Sequence, residues 1–291
     1  MSHLITSNYL RFDYYGKQRE VYASNPNFHE VARLVRAGLL RQAVKCAAGA
    51  LTPARQCKER GVRVTGNHIY FGGLRAPDTI ASIYSATTRA DHRRAIQLFM
   101  MKLASNPSGH DSIQQLVRFI ESNRVPITSR GNFLTYKRVD GDYRDHRTHK
   151  MDNRPGQMVT MRRLEVHADP RTDCSQGLHV CSYGYLFNFH QDGFDHLRSG
   201  APTLIVEVSP ADVVSVPTDY NNSKIRCCRV LPLVRAQDLL AAYDNRPPVD
   251  LLGSLLVFDP ATLRKAWAMP GALQPTRDVS VGDPLAEAWN P

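Results

Sequence analysis

The sequence predicts an α+β fold, in which a helical, basic N-terminal half precedes a mixed or antiparallel β-rich body. Apolar residues fall at helical spacing up to about residue 123. After residue 126 they alternate in short runs bounded by Pro, Gly, Asp and Asn. Helical patterns followed by strand patterns favour α+β over a doubly wound sheet. The predicted parts are a basic helical region at 1–61, a hairpin plus helices at 62–125, a β-rich core at 126–235, and a C-terminal extension and tail at 236–291.

The N-terminal elements follow from local patterns. Residues 1–26 are rich in aromatic side chains and predict a strand or arm. Gly38 separates two short predicted helices, Phe28–Ala37 and Leu39–Ala48. Val62–Phe71 predicts a hairpin, because two alternating runs flank a turn sequence. The remaining predicted helices are Thr79–Ala104, with a break near Thr87, and His110–Asn123.

The β-rich half begins after Asn123-Arg124-Val125-Pro126, because the residue before a proline avoids helical geometry. Leu204–Val208 is apolar at every position except Glu207 and predicts a fully buried strand. A short helix is predicted within residues 236–259, and Gly271–Pro291 is expected to be an exposed tail. The full set of predicted strands is Phe133–Val139, Val159–Met161, Leu178–Cys181, Leu204–Val208, Val213–Val216 and Ile225–Val234.

Positive charge is concentrated at one end of the 291-residue chain. The net charge is +10, and residues 1–130 carry 19 Lys and Arg against 8 Asp and Glu. Such a field attracts polyanions, so DNA or RNA is a predicted partner, with an ordinary solvated face as the alternative. The candidate nucleic-acid-binding residues lie off the apolar stripes of the first two helices and just beyond them: Arg33, Arg36, Arg41, Lys45, Arg55 and Lys58.

Several classes of protein are disfavoured by missing patterns. No run of 18 apolar residues occurs, and the first 20 residues do not have the pattern of a secretion signal. We therefore expect the host cell cytoplasm as the location, with all six cysteines reduced. Neither a phosphate-binding P-loop nor a dinucleotide-binding glycine motif is present, and no cofactor is predicted.

Two clusters contain side chains of the types that act in catalysis or bind metals. Cys174, His179 and Cys181 could form a thiolate nucleophile and its base, but buried structural thiols are the preferred interpretation. The second cluster could hold a divalent metal, or it could be a polar loop whose Asp side chains bond their own backbone. We predict no metal site there; its five candidate ligands are Asp142, Asp145, His146, His149 and Asp152.

Many spaced motifs between Val62 and Val234 resemble the RIIB-like proteins of tailed bacteriophages, the protectors from prophage-induced early lysis. The resemblance implies a non-enzymatic accessory protein that protects infection from host or prophage exclusion, beside a larger RIIA-like partner. The oligomeric state, a homo-oligomer included, stays open. The main matching residues are Asn106-Pro107-Ser108, Leu116–Ile120, Pro126-Ile127-Thr128, Tyr136-Lys137, Tyr143, Asp145, Asp152-Asn153, Gly156, Cys174–Val180, Pro210–Val214, Pro217, Asp219-Tyr220-Asn221, Lys224 and Arg226.

A second resemblance concerns Gly177–Ser182, followed by Tyr183 and Tyr185. This run is similar to the glycine, strand and Ser/Tyr segment of ADP-ribosyltransferases, which implies a nucleotide-shaped groove. The predicted strand Phe133–Val139 lacks the family's His, and Ile225–Val234 contains no acid, so the catalytic set is incomplete. The pocket candidates that this resemblance implies are Tyr136, Lys137, His179, Ser182 and Tyr183.

Three functional hypotheses follow. The first is a binding protein of the RIIB type with a basic surface for nucleic acid or another polyanion. The second is an ADP-ribosyltransferase-like enzyme or nucleotide sensor. The third is a structural or assembly protein of the phage particle. Salt-dependent binding without turnover, modification of a target with NAD, and cofractionation with virions distinguish them.

Overall fold

In the part of the first 93 residues that the structure describes, two small antiparallel sheets accompany helices at 28–36 and 78–86. The computed structural model describes residues 3–6, 9–14, 16–23, 25, 28–36, 38, 40, 43–44, 47, 62–65, 68–71, 73–123, 125–172, 175–189, 202–243, 257–258 and 263–276. The chain forms two compact units, Met1–Arg93 and Arg94–Pro291. The first unit comprises β1 (His3–Ile5), β2 (Tyr9–Tyr14), β3 (Lys17–Tyr22), α1 (Phe28–Arg36), β4 (Val62–Thr65), β5 (His68–Phe71), β6 (Leu74–Arg75) and α2 (Asp78–Ala86).

Two apolar clusters organise this unit. The strands β1, β2 and β3 form one meander, and Leu10 and Phe12 project from it towards the apolar side of α1. The strands β4, β5 and β6 form the other, on which Phe71 meets Tyr84 of α2 edge to face, with ring centroids 5.0 Å apart. The expected helical N-terminal half is not confirmed, because two β-meanders lie there, at the predicted strand or arm and at the predicted hairpin.

The second unit is built around one large sheet. Its elements are α3 (Ala90–Ala104, starting at the end of the first unit), α4 (His110–Ser122), β7 (Ile127–Thr128), β8 (Phe133–Arg138), β9 (Val159–Thr160), β10 (Leu178–Cys181), α5 (Tyr183–Phe189), β11 (Thr203–Val208), β12 (Val213–Ser215), β13 (Lys224–Cys227), β14 (Arg229–Arg235), α6 (Ala236–Ala242), β15 (Val257–Phe258) and α7 (Arg264–Trp267).

The sheet order is β12-β13-β10-β8-β11-β14-β9, with β7 also paired to β8 and β15 to β7. Every described pair in it is antiparallel except β7 with β15. Leu134 of β8 packs with α6 and α7, whereas the ring of its neighbour Phe133 contacts Phe119 of α4. Because successive residues of a strand face opposite sides, α4 and α6 cover opposite faces of the sheet.

A buried carboxylate, Glu207 of β11, is fully surrounded by donors. Arg130 forms an ion pair with it, and Thr128 Oγ1 and Asn132 Nδ2 donate to Oε1 at 2.8 and 3.1 Å. Lys102 of α3 donates to Asn132 Oδ1 at 2.8 Å. We call these five residues the Glu207 network. It holds the β7–β8 turn and α3 against the sheet, and each of its two cations has an acceptor within it.

Gly131 allows that turn to approach α3. Its φ is +71°, and a Cβ there would lie 2.5 Å from the backbone nitrogen of Phe99. An L side chain at this position would meet both backbone strain and an overlap with fixed main-chain atoms.

A second polar junction joins segments that lie far apart in sequence. Asn106 is buried, and its Nδ2 donates to the carbonyls of Pro210 and Val213 at 2.7 and 2.9 Å. Arg163 donates to Asn106 Oδ1 at 3.0 Å and to the carbonyl of Ala211 at 2.8 Å. Two of the motifs that carried the phage resemblance therefore contact each other, which gives them a structural role.

Most element predictions for the second half are confirmed. The helix predicted to begin at His110 ends at Ser122, and the helix predicted over Thr79–Ala104 is interrupted between Ala86 and Ala90. The strand predicted over Ile225–Val234 is two strands, separated at Cys228. The predicted helix Leu39–Ala48 and the predicted tail lie largely outside the described residues, and the four-part division of the chain stays a prediction.

Candidate functional site

The strand β10 brings the predicted pocket residues together. It pairs with β13 through four residue pairs but with β8 through one, Cys181 with Tyr136. Next to that pair, Thr135 Oγ1 donates to the carbonyl of Cys181 at 2.5 Å. No further residue pair joins β8 to β10 in the described ladder, and beyond this pair the side chain of Lys137 bonds to the backbone of β10. Its ammonium donates to the carbonyl of His179 at 3.0 Å.

Lys137 is a buried cation, with 8% of its surface exposed. Burial lowers the pKa of its ammonium, because the charged form loses hydration that the surroundings replace only in part. The negative charge of Asp145 acts in the opposite direction. The burial effect outweighs it.

His179 lies among positive charges. Burial is the largest cause that lowers its pKa to about 4, and the charges of Lys137, Arg226, Lys224 and Arg147 contribute in that order. Its Nε2 atom is buried and has no hydrogen-bond partner in the part of the chain that the structure describes. The imidazole is therefore neutral at pH 7 and retains an unused ring nitrogen.

Aromatic rings stand on the same side of the sheet. The ring of Tyr136 lies 5.5 Å from that of Tyr183, and the ammonium of Lys224 lies 5.4 Å from the ring centroid of Tyr185. Ser182 is buried, and its hydroxyl has no partner among the described residues. The five pocket candidates thus lie on β8, on β10 and at the start of α5; their assignment to a ligand stays a prediction.

Arg226 fixes the loop that precedes β10. It is completely buried, pairs across the sheet with His179, and donates to the carbonyls of Thr172 and Asp169. Gly177 sits beside it, where a Cβ would lie 3.0 Å from Val166 and 3.3 Å from Arg226. The glycine of the motif is thus needed for the close passage of this loop, and Arg226 determines its position.

The acidic cluster at 140–153 is organised by its own backbone. Asp145 accepts hydrogen bonds from the amides of Thr148, Lys150 and Met151. Burial acts to raise its pKa, but these bonds outweigh that effect and hold the pKa well below its usual range. No group of three or more His, Cys, Asp or Glu in the described residues has the geometry of a metal site. The candidates Asp142, Asp145, His146, His149 and Asp152 are thus not assembled into one there.

The described thiols are poor nucleophiles. Cys181, Cys227 and Cys228 are free and buried. Burial raises the pKa of Cys181 to about 12 and raises that of Cys227 further above its ordinary value. Neither therefore supplies a thiolate near neutral pH. Cys174, the third member of the predicted cluster, lies outside the described residues.

The predicted nucleic-acid face is mostly outside the described residues. Arg36 is exposed at the end of α1. Arg33 lies in the same helix, but its side chain is not described. The other four candidates, Arg41, Lys45, Arg55 and Lys58, are outside the described residues, so this face stays a prediction.

Comparison with known proteins identifies the lineage. A profile of the family described as bacteriophage T4 protein rIIB matches residues 9–244. The chain belongs to the phage T4 rIIB family. Protein rIIB of Enterobacteria phage T4 is 30% identical over 211 residues, which are 71% of this chain and 64% of that protein. The chain thus matches less than two thirds of the T4 protein's length.

No solved structure matches this rIIB-family chain significantly. The ADP-ribosyltransferase-like fold is accordingly not confirmed. In the described residues, no helix is both long enough and apolar enough to cross a bilayer.

The structure adds residues to the site that sequence reasoning did not place there. The positive charges of Arg147, Lys224 and Arg226 lower the pKa of His179, but these residues were not predicted as pocket residues. Lys224 and Arg226 alternate on β13, which is a signal for one shared face. Their meeting with His179 depends on cross-strand register, which the sequence alone does not define.

Proposed function

We propose that this rIIB-family protein acts as a phage accessory protein that protects an infection from host or prophage exclusion, by binding and not by catalysis. Family membership across residues 9–244 is the observation that carries the proposal. The raised thiol pKa values and the carboxylates engaged by their own loops support a binding role.

The test of protection is a phage that lacks this gene. We expect it to plate normally on a permissive host and poorly on a host whose resident prophage excludes it. A plasmid copy should restore plating. Equal plating of the deletion phage on both hosts would contradict the proposal.

The N-terminal charge supports a polyanion, such as DNA or RNA, as one partner. Four to six phosphate contacts would give log K a slope against log salt on the order of −4 to −5. Charge reversal at Arg36, Arg41 and Lys45 should weaken binding evenly across sequences and flatten that slope. A pull-down from infected cells, with and without nuclease, distinguishes the two kinds of partner. A protein held through nucleic acid should be lost after nuclease treatment, whereas a direct RIIA-like protein partner should be retained.

An ADP-ribosyltransferase-like enzyme or nucleotide sensor is the second candidate. The contact between Tyr136 and Tyr183, next to His179 and Ser182, favours it. The absence of an acid from β13 and β14 argues against transfer. Incubation of labelled NAD with infected-cell extract should give no chain-dependent labelling of protein; such labelling would establish the enzyme instead.

A further inference from the structure

The outer face of the meander formed by β4, β5 and β6 carries a tyrosine between two arginines. Arg63 of β4 and Arg75 of β6 are both paired with Tyr70 of β5, one on each side. Directly paired residues of an antiparallel sheet project from the same face, so these three side chains form a row across the strands. We call them the Tyr70 row. Ile69 and Phe71, the neighbours of Tyr70 on β5, are buried on the opposite face.

The Tyr70 row is accessible from solvent. Arg63 is exposed, Tyr70 is half-buried, and the side chain of Arg75 is 50% exposed. The guanidinium of Arg63 lies over the Tyr70 ring, 4.7 Å from its centroid. Asp78 pairs with Arg75 at 3.0 Å, but its side chain is 86% exposed, and a surface pair of this kind is weak enough for a phosphate to replace. An accessible aromatic ring beside two cations is the arrangement that binds a base and its phosphates.

The other meander of this unit, formed by β1, β2 and β3, also presents tyrosines but not the same charge. Tyr9 and Tyr22 are paired on β2 and β3, with ring centroids 5.2 Å apart. Both hydroxyls donate to the carboxylate of Glu20, at 2.8 and 3.2 Å. Glu20 also lies opposite Arg11 and offsets its positive charge. A fixed anion beside the rings disfavours a phosphate backbone, so this face serves as a comparison for the Tyr70 row.

We infer that the Tyr70 row binds single-stranded RNA. A base stacks on the Arg63–Tyr70 pair, and Arg63 and Arg75 neutralise the phosphates on either side of it. The charge of the surrounding chain is complementary, because residues 1–93 carry 14 Lys and Arg against 6 Asp and Glu. A single strand fits this face better than a duplex does, because bases paired within a double helix are not free to stack on a side chain.

Two further side chains on this face favour RNA over DNA. Thr65 and His68 are paired one step along β4 and β5 from the Tyr70 row, on the same face, and both are exposed. A hydroxyl and an imidazole can donate to and accept from the 2′-hydroxyl of a ribose, which DNA lacks.

This inference rests on the polyanion partner of the proposed function and specifies its chemical form. The Tyr70 row includes none of Arg36, Arg41 and Lys45. The two sets of contacts can therefore be tested separately.

The experiment measures the binding of a fluorescent oligouridylate of about 12 nucleotides to the full chain by anisotropy, at several salt concentrations. Tyr70→Leu should weaken binding at least about tenfold, because base–aromatic stacking is lost. Arg63→Gln should weaken it about fivefold. It should also make the slope of log K against log salt shallower by about 0.7, the contribution of one phosphate contact on a single strand.

Two control variants show whether the aromatic ring of this row is the cause. Tyr70→Phe keeps the ring and should bind within about twofold of the natural chain. Tyr22→Leu removes a tyrosine that is 55% exposed on the comparison meander, and we expect it to bind equally well. Arg63 is exposed, so its variant tests the row even if Tyr70→Leu does not fold.

Two matched ligands test the form of the nucleic acid. The oligodeoxyuridylate of the same length differs only in the 2′-hydroxyl, and annealing the oligouridylate to oligoadenylate removes the free bases. Both should bind more weakly than the single-stranded RNA, and equal affinity for either would overturn the assignment.

The remaining outcomes separate this inference from the wider proposal. Oligouridylate binding that is unchanged by both Tyr70→Leu and Arg63→Gln would overturn the Tyr70 row and leave the polyanion partner standing on the other basic residues. If the natural chain binds none of the ligands at low salt, the Tyr70 row and the polyanion partner both fail, whereas protection from exclusion is still tested by plating.

Discussion

The Glu207 network and the neighbourhood of His179 bury polar groups in the same sheet in opposite ways. Glu207 is surrounded by Arg130, Thr128 and Asn132, and each of its oxygens accepts from a donor within the fold. On β8 and β10, Lys137 Nζ has one described acceptor, and the buried Nε2 atom of His179 has none among the described residues. A closed network stabilises the fold, whereas a buried polar group with too few partners is costly to the folded protein.

The largest expected effect is the loss of a cation from the closed network. Arg130→Met leaves Glu207 buried without its counter-charge and should lower the free energy of unfolding by about 3–5 kcal/mol. Urea denaturation at neutral pH measures it. Arg171→Met is the control, because the Arg171 side chain is 84% exposed beside Asp169 and should change stability by less than about 0.5 kcal/mol. If Arg130→Met lowers the free energy of unfolding by less than about 1 kcal/mol, the ion pair with Glu207 does not stabilise the fold as a closed network should.

The second effect is a change in the free energy of unfolding with pH that His179 causes. Its pKa is about 4 in the folded chain against an ordinary 6.5, so the unfolded chain binds more protons between these values. Stability should therefore fall as the pH falls through this window, by about 3 kcal/mol in all. We expect His179→Gln to lack this component when unfolding free energies are compared across pH. Parallel curves for the two proteins would contradict the buried, neutral imidazole.

A smaller effect is expected where the closed network loses one hydroxyl group and keeps its shape. Thr128→Val removes both the donor to Glu207 Oε1 and the acceptor of the Asn132 amide, and it should lower the free energy of unfolding by about 2 kcal/mol. Thr160→Val, on an exposed position of β9, should change it by less than about 0.5 kcal/mol. Equal effects of the two variants in urea denaturation would show that the bond to Glu207 is replaceable.

The smallest effect has the opposite sign. Lys137→Met removes a buried cation and keeps most of the side-chain volume, so it should raise the free energy of unfolding by about 1 kcal/mol at neutral pH. The difference in stability between Lys137→Met and the natural chain should shrink as the pH rises towards 10.5, the ordinary lysine pKa. The lysine of the folded natural chain loses its proton over this range, and burying a neutral amine costs less than burying an ammonium. A clear loss of stability would mean that the hydrogen bonds of Lys137 within the fold outweigh the cost of burying its charge.

The sheet could be predicted strand by strand but not assembled from the sequence. The apolar run at Leu204–Val208 and the motif Leu178–Cys181 have the length and bounding residues of strands, and they are strands. The parallel pairing of Val257 with Ile127 could not be predicted, because two-residue strands 130 positions apart leave no periodic signal. From the sequence, the meander at 3–22 was predicted only as an aromatic-rich strand or arm. Its three-stranded pairing could not be predicted, because the register depends on packing against α1.

The candidate site was predicted in part for the same reason. Tyr136, Lys137, His179, Ser182 and Tyr183 came from a resemblance and lie on β8, on β10 and at the start of α5, and their role as a pocket stays a prediction. Arg147 and Arg226 were missed as site residues, because a loop position and a cross-strand partner are defined only by the folded sheet. The Glu207 network was missed entirely, since an isolated Glu in an apolar strand does not indicate which donors will surround it.

The wide sequence spacing within the Glu207 network also determines when this part of the protein can be completed during synthesis. Glu207 follows Arg130 by 77 residues in the chain. At about 5–20 residues per second, a bacterial ribosome delivers the carboxylate roughly 4–15 s after the arginine. For the first part of that interval β8 lacks both β10 and β11, and until its end β11 is incomplete, so Phe133 and Leu134 have no completed sheet to pack in. Nascent chains stalled before and after Thr203–Val208 should therefore differ sharply in protease resistance.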